Sequence, residues 1–256
     1  AIAAEGYALE SGKLGVAICT SGPGATNMMT GIADAYFGSI PVLYISGQVN
    51  THEYKYNKPI RQQGFQETDI VSIVKPITKY AVMIDDAYNL RYELEKAVHI
   101  ATTGRKGPVV IDLPMDISRA EIDPFKLKSY VPEVEKFDSY NLSDVVSLIN
   151  SASRPMLLAG GGCQSEKSKE LLTAFIKQTQ SPVVTSLMGK GAVDETYINH
   201  MGMIGSYGNR CANMAIAESD LLLAFGTRLD TRQTGAMVEE FLPKAKIIHV
   251  DIDKNE

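Results

Sequence analysis

Cysteine is scarce in the 256-residue sequence and forms no recognisable motif. The three cysteines are far apart, odd in number and never arranged as Cys-x-x-Cys: Cys19, Cys163 and Cys211. This pattern excludes a disulfide framework and a zinc site of ordinary spacing, and we expect a reducing, cytoplasmic setting. Apolar runs such as Leu221–Phe225 are too short to cross a bilayer, so no membrane partner is expected.

An excess of positive charge is also lacking. The sequence has 25 Lys and Arg against 30 Asp and Glu, which gives a net charge of -5 at pH 7. Such a chain has no basic field to hold a phosphate backbone, so nucleic acid is excluded as a partner. GxSxG, HExxH and P-loop motifs are absent. The four histidines lack the spacing of metal ligands: His52, His99, His200 and His249.

The composition that remains is that of a folded globular protein, with 45% hydrophobic and 21% charged residues. The length fits two compact domains. Short apolar runs bounded by Gly and Pro alternate with longer amphipathic segments. This alternation predicts the α/β class, with mainly parallel sheets that helices cover on both faces as three layers.

The alternation predicts the following elements. Strands are expected over Val16–Thr20, Pro41–Ser46, Val109–Leu113, Met156–Ala159, Val183–Ser186, Leu221–Phe225 and Ile247–Asp251. Helices are expected over Ala1–Glu10, Thr26–Phe37, Asp85–Thr102, Leu142–Ser151, Glu166–Thr179 and Asn209–Glu218. Gly47–Thr68 is expected to be a long loop. The proline-rich, charged stretch after Met115 breaks the pattern, so we predict domains over residues 1–118 and 140–256 with a linker over 119–139.

Three glycine-rich turns follow predicted strands and carry the candidate site residues. Ser21–Asn27 allows a ligand to approach the backbone closely, but it is also an ordinary strand-to-helix turn. Gly160–Gly162 resembles a nucleotide-binding turn, although Ser165 stands at the third glycine position of GxGxxG. In Gly226–Arg232, two arginines and an aspartate suit a phosphate and a ribose, and a solvated loop is the alternative.

One further basic turn, Thr103–Pro108, precedes a predicted strand. It could contact an anion or simply cap the preceding helix, and the residues alone favour the cap. Up to this point the residues indicate a two-domain α/β protein that binds a nucleotide-like ligand, and they name no reaction.

Taken in order, the motifs resemble the thiamine-diphosphate-dependent enzymes, and among these the acetolactate synthase (acetohydroxyacid synthase) catalytic subunit. The motifs that carry the resemblance are Ala4–Ala8, Thr20–Asn27, Gly31–Tyr36, Ile40–Pro41, Ser46–Val49, Gly64–Glu67, Ile77–Lys79, Gly104–Pro108 and Asp112–Pro114. The resemblance implies a pyrimidine-binding domain over residues 1–118 and a Rossmann-like central domain over 140–256, which holds FAD in acetolactate synthases.

The implied activity is a carboligation of branched-chain amino acid biosynthesis. Pyruvate is decarboxylated on thiamine diphosphate with Mg2+, and the two-carbon unit is joined to a second 2-keto acid. Small 2-keto acids are the implied substrates, and a homodimer or tetramer is the implied assembly. A regulatory small subunit is left open, as is the retention of FAD.

The resemblance also implies roles for individual residues. Pro23, Gly24 and Asn27 are expected to shape the pyrimidine pocket, and Gln48, Phe65 and Gln66 to line the substrate approach. The positions that match FAD contacts are Arg105, Gly160, Gly161, Ser186, Leu187, Gly226, Arg228, Asp230 and Arg232.

No catalytic residue is expected within this sequence. The family's catalytic glutamate belongs a few residues before Ala1, and the Gly-Asp-Gly motif that binds metal and diphosphate does not occur. We therefore expect an internal fragment of a longer chain, truncated in both domains and inactive in isolation.

Three positions depart from the family pattern. Asn50 stands where proline is usual, the segment His52–Gln63 is longer than the norm, and Tyr207 stands where histidine is usual. Since the first two fall in the substrate approach, another thiamine-diphosphate-dependent enzyme of a different 2-keto acid is the alternative. A non-catalytic nucleotide-binding module is the alternative of another class.

Overall fold

The structure, a computed structural model, describes residues 1–133 and 140–256. The chain divides into two compact units, Ala1–Lys136 and Phe137–Glu256. Every strand pair in the described residues is parallel, which confirms the predicted α/β class. Part of the predicted linker, residues 134–139, lies outside the described residues, and the predicted domain bounds stay a prediction.

The first unit alternates helices and strands along the described chain. Its elements are α1 (Ile2–Ser11), β1 (Gly15–Cys19), α2 (Pro23–Asn27), α3 (Met29–Gly38), β2 (Val42–Gln48), α4 (Ile70–Val74), β3 (Tyr80–Met83), α5 (Leu90–Thr102), β4 (Val109–Pro114) and α6 (Met115–Arg119). Short 3-10 turns lie at Thr51–Glu53, Lys75–Ile77, Ala87–Asn89 and Pro124–Lys126.

The first sheet has the strand order β1-β2-β4-β3. Alternate residues of β2 face opposite sides, because successive side chains of a strand point to opposite faces. Val42 and Tyr44 pack with α1, α3 and α4 in one core cluster, whereas Leu43 packs with α5 in the other. The sheet is therefore the middle of three layers, and its strand ends are left free to carry a site.

The second unit repeats this plan. Its elements are α7 (Ser143–Ser151), β5 (Pro155–Ala159), α8 (Glu166–Thr179), β6 (Val183–Thr185), β7 (His200–Met203), α9 (Arg210–Ala217), β8 (Leu221–Phe225), α10 (Thr231–Thr234) and β9 (Lys246–Val250). The 3-10 turns are Gly161–Cys163 and Val238–Glu240.

The second sheet has the order β7-β6-β5-β8-β9, and its central strand β5 is buried. Leu157 packs against α8 on one face, and Leu158 packs with α9 on the other. The ends of β5 and β8 thus lie side by side at the middle of the sheet, where a doubly wound fold commonly holds its ligand.

Several elements differ from the sequence prediction, among them the short helices α4, α6 and α10, which were not predicted. The helix expected over Thr26–Phe37 is two helices that meet at Met28, whose N–H bonds to the Ala25 oxygen three residues back and so tightens the chain. The strands β3 and β7 were not predicted. Both are four-residue edge strands with only half-buried residues, and β7 is interrupted by Gly202. The short apolar run Tyr80–Ile84 was the available signal for β3.

Among the described residues, we find no helix of the length and apolar character that a membrane crossing requires.

Candidate functional site

The first candidate site is the turn that follows β1. Gly22 adopts a φ of 62° and precedes Pro23, which is the first residue of α2. Pro23 and Asn27 are both exposed and stand one helical turn apart, so they lie on the same side of α2. Gly24 packs on the strand end, where a Cβ would come within 2.7 Å of the Thr20 Cγ2 atom. The turn therefore offers Pro23 and the Asn27 amide to a ligand.

The predicted substrate-approach residues Phe65 and Gln66 lie beside this turn. A Cβ on Gly22 would stand 2.9 Å from Gln66 Cβ, so the two backbones are in close contact. Gln66 itself has a φ of 62°, and the adjacent Phe65 side chain is 87% exposed. The structure thus brings together the candidate pyrimidine turn and two of the three residues expected near the substrate.

The third such residue, Gln48, has its side chain buried at the end of β2. Its Nε2 donates to Asp112 Oδ2 at 2.8 Å and to the Thr68 oxygen at 2.8 Å. Its Oε1 accepts the Val49 N–H at 3.0 Å. The Gln48 amide is therefore occupied within the protein, where it joins β2 to β4 and to the loop before α4.

Asp112 is the centre of this buried network, and the sequence analysis assigned it no role. Ser46 Oγ donates to Asp112 Oδ1 at 2.6 Å, opposite the bond from Gln48. Burial raises the pKa of Asp112 to about 6, even though the bonds from Ser46 and Gln48 lower it, and the nearby charge of Asp69 adds to the rise. A carboxyl group interrupting the apolar strand Val109–Pro114 was the available signal.

We expect Asp112→Asn to remove a pH dependence of stability. Because the folded-state pKa is raised, the folded protein favours the protonated acid, and its free energy of unfolding falls as pH rises through this range. The asparagine variant should lack this fall. The difference between its free energy of unfolding and that of the wild type should therefore rise, in favour of the variant, by about 2 kcal/mol between about pH 4 and pH 8. Urea denaturation at several pH values measures it, and parallel curves would contradict the assignment.

The second candidate site is formed by the turns after β5, β6 and β8. The N–H of Gly160 donates to the Phe225 oxygen at 2.8 Å, and that of Gly162 to the Gly226 oxygen at 2.9 Å. A Cβ on Gly160 would lie only 2.1 Å from the Gly226 oxygen. Gly160 and Gly162 therefore allow the two turns to pack directly against each other. Among the bonds of the described residues, Gly161 is the one glycine of the three whose N–H donates to no main-chain oxygen.

Ser186 and Leu187 lie in the adjoining turn after β6. Ser186 is buried, and its hydroxyl accepts the Gly189 N–H at 3.1 Å. Leu187 and Met188 are exposed, and Gly161 lies against Met188. This edge thus combines a free N–H with an apolar surface, which suits an aromatic ring system next to a phosphate.

Arg228, Asp230 and Arg232 follow β8 at the same edge. The Arg228 Nη2 atom lies 3.8 Å from Asp230 Oδ2, and Asp230 accepts the Arg232 N–H at 2.9 Å. The Arg232 guanidinium lies 5.6 Å from the centre of the Tyr207 ring. Two partly exposed guanidinium groups and a carboxylate are a donor set that fits the phosphates and ribose of a dinucleotide such as FAD.

The remaining residue matched to an FAD contact is Arg105. It precedes β4 and therefore stands at the amino end of the first sheet, opposite to the turn after β1, where its Nε donates to Ser39 Oγ at 3.0 Å. It belongs to the first unit, whereas the other residues matched to FAD contacts belong to the second.

Asp251 is a further candidate that the sequence analysis missed, because it was counted as the end of a strand. The strand β9 ends at Val250, and Asp251 follows it at the same edge as the turns after β5 and β8. His249 Nε2 lies 2.7 Å from the Thr227 oxygen and 4.0 Å from Asp251 Oδ2. An acidic residue after a neighbouring strand is the usual partner of a ribose hydroxyl in doubly wound folds, and that was the available signal.

Family models match both parts of the chain. Residues 1–73 match the "Thiamine pyrophosphate enzyme, N-terminal TPP binding domain", and residues 142–256 match the "Thiamine pyrophosphate enzyme, central domain". The first match contains the turn after β1, Phe65 and Gln66. The second contains the turns after β5, β6 and β8.

Curated relatives agree with the family models. The chain is 43% identical over 259 residues to the acetolactate synthase large subunit of Corynebacterium glutamicum, 41% over 260 to the chloroplastic acetolactate synthase of Arabidopsis thaliana, and 39% over 257 to the large subunit of Lactococcus lactis. Each comparison covers 99% of this chain but only 40%, 38% and 44% of the respective relative. The chain thus spans about two fifths of the length of these proteins.

Proposed function

Because the chain belongs to the thiamine pyrophosphate enzymes, we propose that it is part of an acetolactate-synthase-like carboligase. In this proposal the enzyme decarboxylates pyruvate and joins the two-carbon unit to a second 2-keto acid, a step of branched-chain amino acid biosynthesis. The observation that carries the proposal is the contact of Gly22 with Gln66, which joins the matched cofactor-binding turn to the residues expected near the substrate.

The residues of the first unit fit the pyrimidine ring of thiamine diphosphate. Thiamine diphosphate supplies a carbon nucleophile and an electron sink for decarboxylation. Pro23 and Asn27 would contact its pyrimidine, while Gly24 keeps α2 close to the strand end. Phe65 and Gln66 would cover the keto acid and exclude water from it. The proposal includes Mg2+, which would bind together with the diphosphate group.

FAD is proposed as a second cofactor, held by the second unit. The free Gly161 N–H and the arginines after β8 support phosphate binding, and the exposed Leu187 supports contact with a ring system. Asp251 would accept from a ribose hydroxyl. In such an enzyme the protein orients the bound group, and no residue of this unit is assigned a chemical step.

The assembly and setting are also proposals. We propose a homodimer or tetramer, with a regulatory small subunit as a further partner, since the resemblance implies them. A cytoplasmic setting is consistent with the three free cysteines.

One specific observation favours a second candidate, a related enzyme of another 2-keto acid. The segment Asn50–Gln63 is held in place by hydrogen bonds between its own residues. The Asn50 N–H donates to Glu53 Oε2 at 3.1 Å, and Gln63 Nε2 donates to the His52 oxygen at 3.0 Å. A built segment beside Phe65 would alter the shape of the substrate approach.

Release of carbon dioxide from a panel of 2-keto acids tests the proposal. The intact protein is supplied with Mg2+, with and without thiamine diphosphate, and pyruvate should be the preferred substrate only when the cofactor is present. Preference for another 2-keto acid would favour the second candidate. Release from none, together with binding of FAD in a fluorescence titration, would favour a nucleotide-binding module without catalysis.

A further inference from the structure

In the loop between β2 and α4, residues 49–69, Glu67 is the carboxylate that accepts the most hydrogen bonds. It is buried, and three main-chain N–H groups donate to it: Lys55 to Oε1 at 2.8 Å, and Gln63 and Gly64 to Oε2 at 2.6 and 3.0 Å. Lys55 lies in the first half of the loop, and Gln63 and Gly64 lie in the second half. A single side chain therefore joins the two ends of segment 55–67.

The charge of Glu67 suits this task. Burial raises its pKa, but the N–H bonds from Gln63, Lys55 and Gly64 outweigh the burial and hold the pKa below its ordinary value. The group is thus an ionised acceptor near neutral pH. Hydrogen bonds to an ionised acceptor are about twice as strong as neutral ones.

The segment that Glu67 closes ends at the substrate-facing residues. Gly64 packs against Val49, where a Cβ would come within 2.8 Å of Val49 Cγ1. Next, Phe65 projects outward, and Gln66 adopts the left-handed conformation that residues other than glycine rarely adopt. A left-handed glutamine persists only where its surroundings fix it, and Glu67 and Gly22 are those surroundings.

We propose that Glu67 is a positioning residue, which holds Phe65 and Gln66 against the cofactor turn and thereby sets the affinity for the 2-keto acid. The inference rests on the proposed function, because it takes Phe65 and Gln66 to line the substrate approach. Glu67 itself contacts neither substrate nor cofactor in this account. Its effect passes through the backbone of residues 63–66.

Two matched variants of the intact protein test the inference. Glu67→Gln keeps the size of the side chain but removes its charge, and its NH2 group cannot accept the bonds that one carboxylate oxygen takes. Asp220→Asn removes the same charge from a carboxylate that also accepts main-chain N–H bonds, from Ser153 and Arg154, but Asp220 precedes β8 and belongs to neither candidate site. The readouts are hydrogen exchange of residues 55–66, the dissociation constant of thiamine diphosphate, and the KM and kcat for the 2-keto acid that the wild type turns over.

In Glu67→Gln we expect faster exchange at Lys55, Gln63 and Gly64, and a KM raised by about tenfold or more, because small misplacement of a contact surface is costly. The kcat and the cofactor affinity should change by less than about threefold. Asp220→Asn should leave KM unchanged. Protection retained at the three amides, or a loss confined to kcat, would overturn the inference. Absence of turnover by the wild type would instead overturn the proposed function.

Discussion

Gly160→Ala is expected to destabilise the second unit by about 3 kcal/mol or more, because overpacking against rigid backbone has no cheap relief. The new Cβ would lie 2.1 Å from the Gly226 oxygen and 2.5 Å from Thr227 Cβ. Both atoms belong to the turn after β8, and the end of β8 and this turn accept the N–H groups of Gly160 and Gly162. The turns after β5 and β8 must separate, and the candidate dinucleotide site between them should be lost.

Gly161→Ala is the matched control for this prediction. The three atoms nearest to its Cβ would all belong to Met188, with Met188 Cβ at 3.1 Å, and we expect a cost below about 1 kcal/mol. Hydrogen exchange of the β5 and β8 amides measures the stability of the second unit directly. Equal exchange rates in the two variants would show that the turns are not packed as described.

Gln48→Leu is expected to destabilise the first unit by about 3 kcal/mol at pH 8. The substitution removes both bonds of Nε2, including the donor to Asp112, and leaves a buried carboxylate with Ser46 alone. The cost should be smaller at pH 5, because the raised pKa leaves much of Asp112 protonated there. An uncharged acid needs fewer donors than a carboxylate.

Exchange of the β2 and β4 amides at pH 5 and pH 8 measures this effect. The exposed Gln62 provides a control, since Gln62→Leu should change the free energy of unfolding by no more than about 0.5 kcal/mol. A cost of Gln48→Leu that is the same at both pH values would contradict the account of Asp112.

The strands that are buried on both faces could be predicted from the sequence, whereas the edge strands β3 and β7 were not predicted. The strands β4, β5 and β8 are mainly apolar because they are buried on both faces, and this pattern predicted the parallel sheets from the sequence alone. The edge strands β3 and β7 are half-buried, and only β3 has a short apolar run, Tyr80–Ile84. The break between α2 and α3 depends on one tightened turn at Met28, where no proline or glycine gave a signal, and the only glycine of the segment Thr26–Phe37, Gly31, lies within α3.

The site was harder to predict because its bonds join distant parts of the chain. The family resemblance placed Gln48 near the substrate, but the amide bonds to Asp112, which is 64 residues away. Gly160 and Gly162 suggested a phosphate-binding turn, and their main-chain groups are instead bonded to β8. Glu67 was noticed only as part of a motif, since its three donors are assembled by the fold of the loop.

The identity of the product made from pyruvate tests the central claim most directly. The intact protein should be incubated with carbon-13-labelled pyruvate, thiamine diphosphate and Mg2+, and the mixture followed by NMR. Signals of acetolactate that depend on the cofactor are the result that the carboligase account predicts. Acetaldehyde as the sole product, or unchanged pyruvate, would contradict it.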